Sequence, residues 1–143
     1  MQDRRLEILS DSIETAVKQA CTEDITVSFS GGIDSTLVAF LANKYSSIEL
    51  IAVGTPKSYD LEAAKTAAEM IQMDLRIIEV EPKQMVAEGL NMQNQIDLKA
   101  IEIEFMLPFW IAAKNSKSSI LMCGQGADAV SYTHLTLPTN REV

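Results

Sequence analysis

Ile25-Thr26-Val27-Ser28-Phe29-Ser30-Gly31-Gly32-Ile33-Asp34-Ser35-Thr36 passes from an apolar, β-branched run through a glycine pair into acidic and hydroxyl residues. Ile25 to Phe29 has the composition of a strand buried on both faces. Gly31 and Gly32 permit a tight turn. Over 34–44 the apolar residues return at helical spacing, through Leu37, Val38, Phe40 and Leu41. A strand that turns through glycines into a helix is one βα unit, and the rest of the chain repeats the pattern. Upstream, Leu6, Leu9, Ile13 and Val17 predict an amphipathic helix over 4–20. Downstream, Ile48 to Val53 reads as a second strand, closed by Gly54-Thr55-Pro56. Ser58 or Asp60 caps the next helix, which runs to about Met73 with Leu61, Ala64, Ala68 and Ile71 inward. Leu75 to Val80 is a third strand, stopped by Pro82. A helix over 83–91 follows, then a longer one over 97–115 that Pro108 kinks or restarts. Ser119 to Cys123 is a fourth strand, opening onto Gly124-Gln125-Gly126-Ala127-Asp128.

Strands alternating with helices imply an α/β fold, a doubly wound parallel sheet covered on both faces. With right-handed crossovers the first three strands step one way, and the helical pair at 83–115 is long enough to carry the chain back. The expected strand order is 3-2-1-4. Strands one and four then flank a topological switch point, and ligands of such sheets bind in the crevice at the carboxyl ends of the strands there. Both glycine-rich turns, at 30–35 and 124–128, open into that crevice.

Composition narrows the function classes. The chain has 143 residues and a net charge of -8, which allows one domain. The acidic balance argues against a nucleic-acid backbone as main partner, since phosphate binding needs clustered Lys and Arg. The longest apolar run, Phe105 to Ala113, is interrupted by Pro108 and falls short of the about 20 residues a membrane-spanning helix needs. Met1-Gln2-Asp3-Arg4-Arg5 has no apolar signal core behind it. Cys21 and Cys123 form neither a disulfide framework nor a CxxC knuckle. A cytoplasmic protein with two reduced thiols is expected.

The chemistry concentrates in the first glycine turn. Amides after Gly31 and Gly32 open a helix whose dipole favours negative charge. Ser30, Ser35 and Thr36 add hydroxyl donors for phosphate oxygens. Asp34 would repel a bound phosphate unless a Mg²⁺ bridges the two, and Mg²⁺ is commonly held by one or two carboxylates plus phosphates. The motif is not a Walker A loop, for no Lys-Ser/Thr follows GxxxxG. Gly124-Gln125-Gly126-Ala127-Asp128-Ala129 also fits the dinucleotide pattern GxGxxA, but no helix follows and the acidic partner about 20 residues on would fall beyond the chain. Ser131 to Val143 has no helical period and no clear alternation, so 131–143 is expected to be a non-native tail, with a short native strand as the alternative. It carries His134, the only histidine.

SGGIDST after a hydrophobic strand resembles the pyrophosphate-binding PP-loop, SGGxDS, of the N-type ATP pyrophosphatases, whose fold is adenine nucleotide alpha-hydrolase-like (HUP-type). That superfamily includes asparagine, β-lactam, argininosuccinate, GMP and NAD synthetases and some tRNA-modifying enzymes. Further stretches resemble the asparagine synthetase branch. They are Ala52-Val53-Gly54 followed by Tyr59-Asp60-Leu61-Glu62-Ala63-Ala64, then Leu107-Pro108-Phe109-Trp110, and Ile120 to Asp128. The last is similar to that branch's second nucleotide-site motif, SGEGxDE. The resemblance spans 25–128.

The resemblance implies roles for particular residues. Ser30, Gly31, Gly32, Asp34, Ser35 and Thr36 would hold the ATP phosphates. Phe29 would contact the nucleotide through its main chain, Val53 would read adenine through its backbone, and Cys123 and Gly124 would contact the nucleotide. Asp34 and Asp128 would hold Mg²⁺ and serve as the catalytic carboxylates. The departures are Cys123 for Ser, Gln125 for Glu, and Ala129-Val130 where the family continues Glu-Leu-Phe-Gly-Gly. Gln2 stands where the branch's glutaminase domain has Cys, so the chain is not expected to hydrolyse glutamine. Residues 1–130 are thus expected to be the N-terminal part of an ATP pyrophosphatase-type synthetase domain. The implied activity is that of an amide-forming ligase: a carboxylate, aspartate's, is adenylated with release of pyrophosphate and then amidated by ammonia. The alternatives are another ligase of the same superfamily, or a module that binds ATP and Mg²⁺ without turnover. Implied partners are ATP, aspartate and ammonia, a separate glutaminase domain or subunit, and a second copy in a homodimer.

Overall fold

The computed structural model describes residues 3–125. The elements run α1 (Arg4–Ala20), β1 (Ile25–Ser28), α2 (Ile33–Ala42), β2 (Ile48–Gly54), α3 (Tyr59–Met70), β3 (Leu75–Glu79), α4 (Pro82–Gln95), α5 (Ala100–Asn115) and β4 (Ile120–Cys123). The four strands form one parallel sheet in the order β3-β2-β1-β4, as the sequence predicts. In register, Ser28 at the end of β1 lies between Ile51 of β2 and Cys123 of β4.

Alternation along β1 builds two half-cores. Ile25, Val27 and Phe29 point to the side of α2 and α3, packing with Leu50, Ala52, Ala39, Leu61, Ala64 and Ala68. All three are essentially fully buried, each contributing about 1.5–3 kcal/mol by removal from water. Ile51, Ile111 and Ala112 are buried where α5 crosses β1 and β2. Thr26 has no exposed surface, and its hydroxyl meets Ser116 Oγ at 2.7 Å and Ser118 Oγ at 3.2 Å. These bonds fasten the α5–β4 connection at the amino ends of the strands.

Three expectations are corrected. The helix expected over 83–91 runs on to Gln95, because packing of α4 on α5 carries it past Gly89. α5 begins at Ala100 and passes through Pro108 without restarting. The carbonyl of Glu104, which loses its helical donor to the proline, belongs to an exposed residue that water can satisfy. α3 stops at Met70 rather than Met73. Gln72 turns to φ 56°, its amide bonds the Glu69 carbonyl, and the Met73 amide bonds the Ala68 carbonyl. This is a Schellman ending with glutamine where glycine is usual. α1 spans the 4–20 expected of it, yet it buries none of its residues, and Leu6 and Leu9 of its apolar stripe are exposed. Residues 131–143 and Asp128 lie outside the described residues.

Candidate functional site

β1 delivers the chain to the turn with the Phe29 amide donating to the Ile51 carbonyl at 2.8 Å. Gly31 then takes φ +79°, and an added Cβ would fall 2.7 Å from the Ala63 carbonyl oxygen and 2.8 Å from Ala64 Cα. Its glycine is therefore required by the backbone of α3, a packing reason beyond the anion approach expected from the sequence. Gly32 is the N-cap of α2 and brings no side chain to it. In α1 and α3 the N-cap side chain bonds a first-turn amide, whereas in α4 and α5, as in α2, a side chain bonds the N-cap amide. Asp3 accepts from the Arg5 amide, Ser58 from Leu61, Gln84 Oε1 from Glu81 and Glu102 Oε2 from Lys99. Within the turn, Ser30 Oγ accepts from the Gly32 amide at 3.3 Å and lies 3.1 Å from Ser35 Oγ, which donates to the Gly32 carbonyl at 3.2 Å. Ser35 is buried, so the hydroxyls are held in one arrangement. An uncapped helix start with ordered hydroxyls suits an anion.

β2 supplies a second kind of recognition. In a parallel strand, the amide and carbonyl of one residue point to the same neighbour. The Ile51 carbonyl serves β1, and the Gly54 carbonyl accepts from Val80 on the β3 side at 2.9 Å. Val53 therefore faces the β1 side, but β1 has already ended at Ser28. Its N–H and C=O look into the space beyond β1, as a donor and an acceptor side by side.

The two features share one crevice of about 580 Å³ at the carboxyl ends of the strands. Phe29, Ser30, Gly32, Asp34, Ser35, Val53 and Gly124 line it. Of the other expected site residues, Gly31 packs against α3, Thr36 follows in α2 with its amide on the Gly32 carbonyl, and Cys123 ends β4 opposite Ser28. None of these three lines the crevice. Gly124 presses on the loop, for a Cβ there would fall 2.7 Å from the Ser35 nitrogen.

Asp60, Leu61, Phe105, Pro108 and Phe109, none of them expected in the site from the sequence, also line the crevice. In the sequence, Leu107-Pro108-Phe109-Trp110 stands out as a stretch that resembles the asparagine synthetase branch. In the fold its Pro108 and Phe109, with Phe105, form the wall that α5 gives the crevice. That wall is tied to α4 through Glu88, which accepts from Trp110 Nε1 at 3.0 Å and from Lys114 Nζ at 2.8 Å. The Lys114 and Trp110 bonds hold the Glu88 carboxyl below its ordinary pKa.

Among the described residues lining the crevice, Asp34 and Asp60 are the charged ones, and both are acidic. A polyphosphate here needs a compensating cation. No group of three or more His, Cys, Asp or Glu among the described residues could hold a metal ion. A single carboxylate completed by phosphate oxygens is a usual Mg²⁺ arrangement. Asp34, in the first turn of the uncapped helix, fits that arrangement. No helix among the described residues is long and apolar enough to cross a membrane.

A family model described as asparagine synthase matches residues 8–138. A putative asparagine synthetase, glutamine-hydrolyzing, of Methanocaldococcus jannaschii is 29% identical over 140 residues, covering 90% of this chain and 26% of that protein. The NH(3)-dependent NAD(+) synthetase of Mesoplasma florum is 36% identical over 136 residues, covering 94% and 52%. The chain thus spans about a quarter to a half of these relatives. Among solved structures, a "predicted subunit of tRNA methyltransferase" from Methanocaldococcus jannaschii superposes with a TM-score of 0.54 at 23% identity, covering 83% of this chain and 63% of that one. The NH3-dependent NAD synthetase of Campylobacter jejuni gives 0.50 at 20%, covering 82% and 52%. These likenesses place the sheet among adenine nucleotide alpha-hydrolase-like folds.

Proposed function

Because the chain belongs to the asparagine synthase family, we propose that it binds ATP in the crevice between β1 and β4 and serves an amide-forming ligation. The observation that carries this reading is the convergence of the uncapped start of α2, the ordered Ser30–Ser35 hydroxyls and the free edge of Val53 in one crevice. The amides of α2 and the hydroxyls of Ser30 and Ser35 bind the phosphates. Val53 pairs with adenine, its N–H donating to N1 and its C=O accepting from the 6-amino group. Phe29 and Gly124 contact the nucleoside through their main chain. Asp34, joined by Asp128, would hold Mg²⁺, which when bound neutralises charge on the pyrophosphate that leaves.

The reaction then follows from position. The carboxylate of aspartate attacks the α-phosphorus, the α–β bridging bond breaks, and pyrophosphate departs. Ammonia attacks the activated carbonyl carbon, AMP leaves, and the extra proton passes to solvent. Binding in line and charge neutralisation supply the catalysis, with no histidine required. The ammonia source is a separate glutaminase domain or subunit, and the cytoplasm is the compartment that suits the free thiols of Cys21 and Cys123. The 36% identity to an NAD synthetase favours one second reading, a ligase of the same superfamily with a different acceptor acid. Pyrophosphate release from ATP is the deciding assay. Release stimulated by aspartate supports the first reading, and stimulation by another carboxylic acid alone supports the second. Tight ATP binding with no pyrophosphate under any acceptor leaves a nucleotide-binding module and removes both ligase readings.

A further inference from the structure

Asp60 lines the nucleotide crevice on its β2–α3 side, with Val53 and Leu61. Its place there is enforced by packing. A Cβ on Gly54 would fall 2.8 Å from both Leu61 Cγ and Ser58 Oγ, so the start of α3 presses on the end of β2. Ser58 caps that helix through the Leu61 amide, which leaves Asp60 unneeded as a cap. Among the described residues its carboxylate takes part in no hydrogen bond or ion pair. A carboxylate accepts and never donates. In one crevice with the strand edge that offers one donor and one acceptor, it fits a ligand group with a hydrogen to spare.

We propose that Asp60 selects the base, accepting the second hydrogen of a 6-aminopurine whose first is taken by the Val53 carbonyl. A 6-oxopurine brings an acceptor to that point, which would face two acceptors at once and leave all three unsatisfied. Discrimination of this kind is strong because the penalty falls on unpaired polar groups, not on missing contact area. The inference rests on the ATP reading of the crevice and adds to it a residue that tells adenine from hypoxanthine and guanine.

The test compares ATP with ITP, which differ at purine position 6 and the adjoining N1 proton. Affinities are titrated with Mg²⁺ present for the full chain, Asp60→Asn and Asp60→Ala, with folding checked by circular dichroism. Asp60 is exposed, so both variants should fold, and the isosteric Asn variant secures the test if Ala does not. The wild-type chain should prefer ATP. The ATP-to-ITP preference should fall about tenfold in both variants, as one charge-assisted hydrogen bond predicts. In Asp60→Asn, ITP binding should also rise, because the amide can donate to the 6-oxo group. An unchanged preference, or equal losses of ATP and ITP, would overturn the selecting role while leaving the ATP site standing. A wild-type chain that binds neither nucleotide would overturn the ATP reading itself.

Discussion

Gly124 and Ser35 approach each other more closely than any side chain at position 124 would permit. A Cβ there would stand 2.7 Å from the Ser35 nitrogen and 2.8 Å from the carbonyl carbon and Cβ of Asp34. The end of β4 therefore braces the first turn of α2, where the proposed phosphate site lies. The brace crosses the switch point and joins the two glycine-rich turns into one structure.

Gly124→Ala should shift the start of α2 by some tenths of an ångström, since the obstacle is backbone on one side. Overpacking of this kind costs about 1–3 kcal/mol. The expected result is a lower urea midpoint together with a loss of ATP affinity larger than the stability change alone would give. Titration calorimetry beside chemical denaturation separates the two.

Gln72 closes α3 with a positive φ of 56°. Glycine adopts that conformation without the Cβ penalty, and relief of about 0.5–1 kcal/mol is expected. Gln72→Gly should raise the thermal midpoint and leave nucleotide binding unchanged, because the position is at the far end of α3 from the crevice. A lower midpoint would contradict the assignment of this ending.

Glu88 joins α4 to the wall helix α5, and its carboxyl is held below the ordinary value of 4.5 by Lys114 first and Trp110 second. A carboxyl depressed in the folded state stabilises the fold fully above the unfolded value. That contribution is lost as pH falls below about 4.5 through the lower folded value. The pair is partly solvent-exposed, which limits the effect to about 1 kcal/mol at most. Glu88→Gln should lower the urea midpoint near pH 7 and show a smaller fall between pH 6 and pH 3.5 than the wild-type chain.

Much of this molecule is legible in its sequence. Ile25 to Phe29, the Gly31-Gly32 turn and the long helical return at 83–115 determine the strand order, because crossover handedness leaves few alternatives. Ser30, Asp34, Ser35 and Val53 fall into one crevice because they lie at the carboxyl ends of neighbouring strands. What stayed hidden depends on distant contacts. Asp60 and Phe105 reach the crevice only through the packing of α3 on β2 and of α5 across the sheet. Gly31 could be read as a phosphate-loop glycine, but not as the residue that lets Ala63 and Ala64 come close. Leu6 and Leu9 show that α1 has an apolar stripe, and periodicity carries no information on whether anything covers it. The ending of α3 at Gln72 lacked the glycine that marks such endings.

The central claim is that the crevice takes ATP through Asp34 and a divalent cation. Its most direct measurement is ATP affinity with Mg²⁺ and with chelator, for the wild-type chain and Asp34→Asn. Mg²⁺ should tighten ATP binding to the wild-type chain by about tenfold or more. Asp34→Asn should bind ATP weakly, with no gain from Mg²⁺. Equal ATP affinity and equal metal dependence in the two proteins would contradict the site.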